Sequence, residues 1–141
     1  MGTIKKKYSL ICCEVNGSRF AVSLDMIEGV AQLPDVVAVP TNTSRVFRGV
    51  AYILGQLMSV VDIAPLFNLG TATSARQVLI LQIEGEFYAL AVDTIGDIVS
   101  VPELTKYQHA LSPAAPHYIE VKKNKIPVLE SMIVMQRFVC S

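Results

Sequence analysis

The chain has 141 residues, of which 52% are apolar and 17% charged, and its twelve basic and twelve acidic side chains leave no net charge. That length holds one ordinary domain or two very small lobes, and neutrality together with the absence of Trp argues against a general nucleic-acid surface. Soluble domains average about 45–50% apolar and 25% charged residues, so the apolar surplus predicts buried interfaces beyond a single core.

Lys5, Lys6 and Lys7 form the basic run near the start. The apolar piece after it, Leu10 to Cys13, stops at Glu14 and is too short for the core of a signal peptide. No stretch approaches a transmembrane length, and position 6 lacks the Ser or Thr of a myristoylation signal. The expectation is a soluble, cytoplasmic protein. Cys12 and Cys13 are adjacent and point to opposite faces of any strand, and Cys140 stands apart. Neither metal-ligand nor CxxC spacing is present, so isolated thiols are expected rather than a disulfide framework.

Tyr8 to Val15 reads as a strand, Asn16-Gly17 as a type I′ turn, and Arg19 to Ser23 as the return strand. This register sets Glu14 opposite Arg19 and puts Ile11, Cys13, Phe20 and Val22 on one face. Asp25 is predicted to cap a short helix running to Gly29. Val30 to Leu33 and Val36 to Val39 are short β runs bounded by Pro34 and Pro40. Thr41 to Arg45 is a polar loop.

Phe47 to Phe67, FRGVAYILGQLMSVVDIAPLF, is the stretch around which the rest is organised. Gly55 suits the first central position of a type II′ turn, which makes Leu54 and Leu57 cross-strand neighbours. One face then carries Val50, Tyr52, Leu54, Leu57, Ser59 and Val61. The other carries Gly49, Ala51, Ile53, Met58, Val60 and Asp62. Both faces are largely apolar, so one should fill a core and much of the other should meet a second packing surface. Ile63 to Leu69 is predicted as a short helix with Pro65 in its first turn, and Thr71 to Ala75 as a small-residue connector.

The pattern then restarts. Gln77 to Ile83 and Phe87 to Val92 are strands about a Glu84-Gly85 turn. Asp93 to Gly96 is predicted as a helical turn and Asp97 to Val101 as a strand ended by Pro102. A Pro-rich loop spans Glu103 to Pro116. Tyr118 to Val121 and Ile126 to Leu129 are strands about a Lys-Lys-Asn-Lys turn, and Ser131 to Phe138 closes the chain as a helix. The halves align without a gap at an offset of 68: Gly17 falls on Gly85, Phe20 on Tyr88, Asp25 on Asp93, Gln56 on Asn124 and Val60 on Val128. Such repetition implies two similar β lobes, about 1–72 and 73–141 with strand exchange between them open, and many short strands favour barrels over an open sheet.

Little in the chain points to chemistry. Asp62, Asp93 and Asp97 sit at strand or hairpin ends, where Asp commonly caps a turn. His109 and His117 lack ligand spacing and read as loop histidines. Ser and Cys residues carry no nucleophile motif, and the glycines mark turns rather than a phosphate loop. Lys122, Lys123 and Lys125 crowd one hairpin tip, either as a solvated turn or as a surface for an acidic partner. No catalytic residue, metal or cofactor is expected. A small barrel binding single-stranded nucleic acid is weighed and set aside, because stacking aromatics in a basic groove are needed and the Tyr and Phe residues fall mostly at core-phased positions.

The segments GSRFAVSLDMIEGV, FRGVAYILGQLMSVVDIAPLF and EFYALAVDTIGDIV together resemble CheW-like domains. Members of that family couple chemoreceptors to a histidine kinase in bacterial chemosensory arrays. The resemblance implies an all-β fold of two five-stranded barrels, similar to Src-homology-3 barrels, with short helices. It implies a non-enzymatic adaptor whose partners are the cytoplasmic tip of a chemoreceptor, the regulatory domain of a CheA-type kinase, and other CheW-like proteins. It further implies a groove lined by Ile27, Val30, Tyr52, Leu54, Gly55 and Gln56. This chain departs from the pattern at Leu54, where members have Arg, at Gly29, where they often have Glu, and at Ser59, where Pro is usual. An opposite-charge pair of the family is thereby absent. Those departures fit a divergent member, one that occupies an array without activating the kinase, for example in a pathway serving surface motility.

Overall fold

A computed structural model describes residues 8–38, 46–64, 75–83, 85–108 and 117–129. The expected helices over Ile63 to Leu69 and Ser131 to Phe138 fall wholly or largely outside them, as do the loop Thr41 to Arg45 and His109. The described residues form eleven strands and one 3-10 turn.

Strands β1 (Tyr8–Val15) and β2 (Ser18–Ser23) form the first hairpin. Asn16 and Gly17 take φ of 50° and 80°, and two positive values are the signature of a type I′ turn. Glu14 faces Arg19 as expected; their side chains approach to 3.2 Å, a largely exposed pair that contributes little. The helix expected from Asp25 to Gly29 is replaced by a single 3-10 turn, Leu24–Met26, and the side chain that caps it belongs to Ser23, which accepts the Asp25 N–H at 3.4 Å. The chain re-extends because Ile27 pairs with Leu81 and Gly29 with Ile80, so β3 (Ile27–Gln32) joins the ladder of β6 (Gln77–Ile83). Tertiary pairing outweighs the local capping signal there.

β4 (Phe47–Ile53) and β5 (Gln56–Val61) form the middle hairpin, and β7 (Glu86–Val92) returns from β6. The helical turn expected over Asp93 to Gly96 is absent, and β8 runs from Thr94 to Val101. Asp93 is held across the fold instead. Its N–H donates to the Glu14 carbonyl at 2.9 Å, and its carboxylate accepts the Asn16 N–H at 2.8 Å. It therefore ties the first turn to the start of β8 rather than capping a helix. The two-residue β9 (Thr105–Lys106), β10 (His117–Val121) and β11 (Asn124–Leu129) complete the set.

Two mixed sheets result, ordered β8-β1-β2-β11-β10-β9 and β3-β6-β7-β5-β4, with parallel pairs β11·β2 and β5·β7. Adding 68 to the bounds of β1, β2, β3, β4 and β5 gives 76–83, 86–91, 95–100, 115–121 and 124–129, which fall on β6, β7, β8, β10 and β11. Under that mapping the first five strands of one sheet become the five strands of the other. Each sheet draws strands from both halves of the chain. The expected barrels are not closed. Among the described residues, strands β8 and β9 remain edges of the first sheet, β3 and β4 of the second, and only the Val37–Val50 bridge reaches from beyond β3 to β4. Closure would need ladders of several residues at those edges; β9, which makes the first sheet six-stranded, supplies two.

The apolar surplus is explained by three cores. Ile11, Cys13, Phe20 and Val22 of the first sheet meet Leu79, Leu81, Tyr88 and Leu90 of the second in a central layer. Ala51, Ile53, Met58, Val60, Val78 and Ile80 pack on the other face of the second sheet. Leu10, Ala21, Ile119, Ile126 and Val128 do the same for the first. Strands buried on both faces cannot alternate, and β7 accordingly buries five consecutive residues, Tyr88 to Val92.

Candidate interaction surface

The β4–β5 turn is type I′ rather than II′. Leu54 and Gly55 occupy its two central positions at φ of 50° and 80°, so Ile53 pairs with Gln56 and Tyr52 with Leu57. The expected Leu54–Leu57 pairing is therefore corrected by one place on each strand. A shift of one on both strands preserves parity, so the assignment of residues to faces survives it. Ala51, Ile53, Met58 and Val60 are buried. Tyr52, Leu54 and Leu57 are 72%, 76% and 57% exposed. A bulky aliphatic residue at positive φ, buried against nothing in its own chain, is a cost to folding that local structure does not offset.

Gly49 fixes the base of this hairpin. Its φ is +147°, and a Cβ built there would lie 2.3 Å from the Val37 carbonyl oxygen. Only a glycine admits the paired hydrogen bonds between Val37 and Val50, at 2.9 and 3.0 Å. Val37 is itself well exposed and extends the apolar surface beside Val50. The register shifts between Phe47 and Gly49, marking a bulge. At the far end of the hairpin Asp62 is fully buried. Its carboxylate accepts the Ala64 N–H at 2.9 Å and lies 3.6 Å from the Arg48 guanidinium. Both oxygens are thus engaged in holding the chain as it leaves β5.

Tyr52, Leu54, Gly55 and Gln56 come together at the hairpin tip. Ile27 and Val30 stand on β3, at the opposite edge of the same sheet order. Cross-strand rows nonetheless put them on one face: Val30–Leu79–Leu90–Val61–Phe47 is one row, and Ile27–Leu81–Tyr88–Ser59–Val50 the next. That face forms the central core at its middle and emerges as exposed Val30 at one edge and exposed Tyr52 and Leu57 at the other. Ile27 is half-buried against the core. Leu57 and Val37 were not singled out from sequence as surface residues. The signal available was the two-sided apolar character of the hairpin, which says that a second surface exists but not where it becomes exposed.

Among the described residues no three His, Cys, Asp or Glu side chains are grouped to hold a metal ion. Burial pushes the Cys13 thiol up to about 12 and raises Cys12 as well, so both stay protonated and weakly nucleophilic near neutrality. Among the described residues no helix is long and apolar enough to cross a membrane.

The CheW-like domain family matches residues 9–125, which is most of the chain. The protein is therefore a member of the CheW-like domain family. Its fold is similar to that in the crystal structure of scaffolding protein TtCheW from Thermoanaerobacter tengcongensis, with a TM-score of 0.78 over 93% of this chain and 89% of that one, at 13% identity. A search among curated proteins found no match.

Proposed function

We propose that the protein is a non-enzymatic, cytoplasmic adaptor of a chemosensory complex, linking the cytoplasmic tip of a chemoreceptor to the regulatory domain of a CheA-type histidine kinase. Family membership supports the class of adaptor. The observation that carries the reading for this chain is the exposed apolar tip of the β4–β5 hairpin, Tyr52, Leu54 and Leu57, with Leu54 held at positive φ. Backbone outliers that persist without local compensation are found where function needs them, and a contiguous apolar patch on a small domain marks a place where a partner is received. Val30 is exposed at the other edge of the same face.

Apolar burial is only mildly sensitive to salt, whereas exposed charge pairs are screened over about 8–10 Å. Binding of a receptor-tip coiled coil, measured by calorimetry, should therefore change little between low and physiological salt. A steep loss would sink the proposal. A second reading within the same class rests on Leu54 itself. An apolar residue at the place where the family pattern has Arg favours a member that occupies array positions without activating the kinase. Reconstitution with receptor and kinase separates the two, since an adaptor stimulates autophosphorylation and an occupying member competes with one that does.

A further inference from the structure

We infer that the strands β9, β10 and β11 form a second docking surface, which receives an acidic segment of a partner protein. All four lysines of the described residues, Lys106, Lys122, Lys123 and Lys125, lie on these strands and their turn. Against them on the same strands stands one carboxylate, Glu120, opposite Lys125 in the ladder. A chain with no net charge is thus strongly polarised. The remaining segments do not correct this, since those outside the described residues carry two acidic side chains, Glu84 and Glu130, and five basic ones.

The turn geometry adds an independent observation. Lys122 and Lys123 sit at φ of 49° and 68°, a two-residue turn of the kind that favours Asn-Gly. The chain uses Asn16-Gly17 for the same geometry in its first hairpin. Two lysines in left-handed positions bring like charges together in a strained backbone, and among the described residues neither forms an ion pair. A solvated turn gains nothing from this arrangement, whereas a carboxylate-rich partner relieves the repulsion.

The aromatic residues beside the lysines distinguish the class of partner. Tyr107 and Tyr118 lie with ring centroids 4.6 Å apart at 45°, and the Lys125 ammonium sits 5.0 Å above the Tyr118 ring. Their faces are engaged with each other and with a lysine, so they offer no free platform for stacked bases. Among the described residues none of the exposed large apolar side chains lies on β9, β10 or β11, so this surface lacks the apolar wedge that lasting attachment to a bilayer needs. Charge complementarity with an acidic polypeptide remains.

The test is an NMR and anisotropy titration of the full chain with a twelve-residue Glu/Asp peptide. Oligo-dT of the same length and vesicles containing one-third anionic lipid are run in parallel. We expect saturable peptide binding that weakens steeply with salt, with shifts centred on Lys106, Tyr118 and the Lys122 to Lys125 turn. Replacing Lys122, Lys123 and Lys125 together by Gln should weaken it at least tenfold without lowering the Tm. Unchanged binding by that variant, shifts centred on Lys5 to Lys7, self-association in place of peptide binding, or preferential binding of oligo-dT or vesicles would each overturn the inference. None of these outcomes bears on the β4–β5 tip, whose binding is expected to survive the triple replacement.

Discussion

The β4–β5 and β10–β11 hairpins occupy equivalent places in the two sheets and end in opposite chemistry. Inside, they match: Ala51, Met58 and Val60 correspond at an offset of 68 to Ile119, Ile126 and Val128, and all six are buried. Both turns use two residues at positive φ. At the tips, Leu54, Gly55, Gln56 and Leu57 correspond to Lys122, Lys123, Asn124 and Lys125. One tip is apolar and the other cationic. Core positions are tied to the packing of a sheet that both halves share, so they resist divergence. Turn residues face solvent in the isolated chain, and there the two halves differ in the chemistry they offer to the partners proposed above.

The largest expected effect breaks the comparison at the base of the hairpins. Gly49 corresponds to His117, a position that carries a side chain without difficulty. Gly49→Ala would drive a Cβ into the Val37 carbonyl oxygen at 2.3 Å on a backbone of φ +147°. We expect a loss of about 3 kcal/mol or more, the range of core strain, while His117→Ala should cost under about 1 kcal/mol. Urea denaturation measures both. Equal effects would mean that the bulge at Gly49 is not a constraint.

Next comes the exit from β5. Asp62→Ala leaves the partly buried Arg48 without its carboxylate and the Ala64 N–H without its acceptor. Losing one partner of a well-buried pair costs about 3–5 kcal/mol; Arg48 keeps some solvent access, so about 2 kcal/mol is expected. Arg48→Met should cost less, because Asp62 retains its hydrogen bond to Ala64. A reversal of that order in thermal unfolding would show that the ion pair, not the turn, anchors the exit.

A third effect concerns binding. Leu54→Arg puts a guanidinium into an apolar patch and should weaken receptor-tip binding about tenfold, with little change in stability. Gly29 lies outside the left-handed region, and a Cβ there would meet only Ile80 Cδ1 at 3.8 Å, so Gly29→Glu can be introduced without backbone strain. If the two sites act together, the double variant recovers part of the loss, with a coupling on the order of 0.5–3 kcal/mol. Strict additivity in the cycle would assign them to separate surfaces, in keeping with their opposite edges in the sheet.

The same pair of hairpins shows what can be read from a sequence. The strands, the repeat and the Asn16-Gly17 turn were legible because alternation and turn chemistry are local. The two Asp residues misled for one reason: Asp25 and Asp93 carry the local signal of a helix cap, and the competing strand pairs lie more than fifty residues away. Of the candidate surface, the two-sided apolar character of the middle hairpin was legible, since its two faces follow from alternation. The turn type was not, because Leu54 breaks the preference for Asn or Gly at its position. A residue that defies local preference is invisible to a reading built on local preference.

That defiance supplies the smallest and most direct test. In the β4–β5 turn the position held by Leu54 is occupied by Asn16 in β1–β2, at the same φ of 50°. Asn tolerates left-handed backbone because its short side chain bonds locally. Leu54→Asn should therefore raise stability by about 1 kcal/mol, an increase in Tm of about 3 °C for a domain of this size. Lys122→Asn with Lys123→Gly should give a similar gain on the opposite hairpin. The two sets lie in different sheets, so their gains should add. Each should also lose the binding of its own tip and leave the other's intact: Leu54→Asn the receptor-tip coiled coil, the lysine replacements the acidic peptide. A stability gain without a binding loss would mean that the residue is merely a poor turn former. A binding loss with a matching stability gain means that the chain tolerates strain at that turn because a partner relieves it.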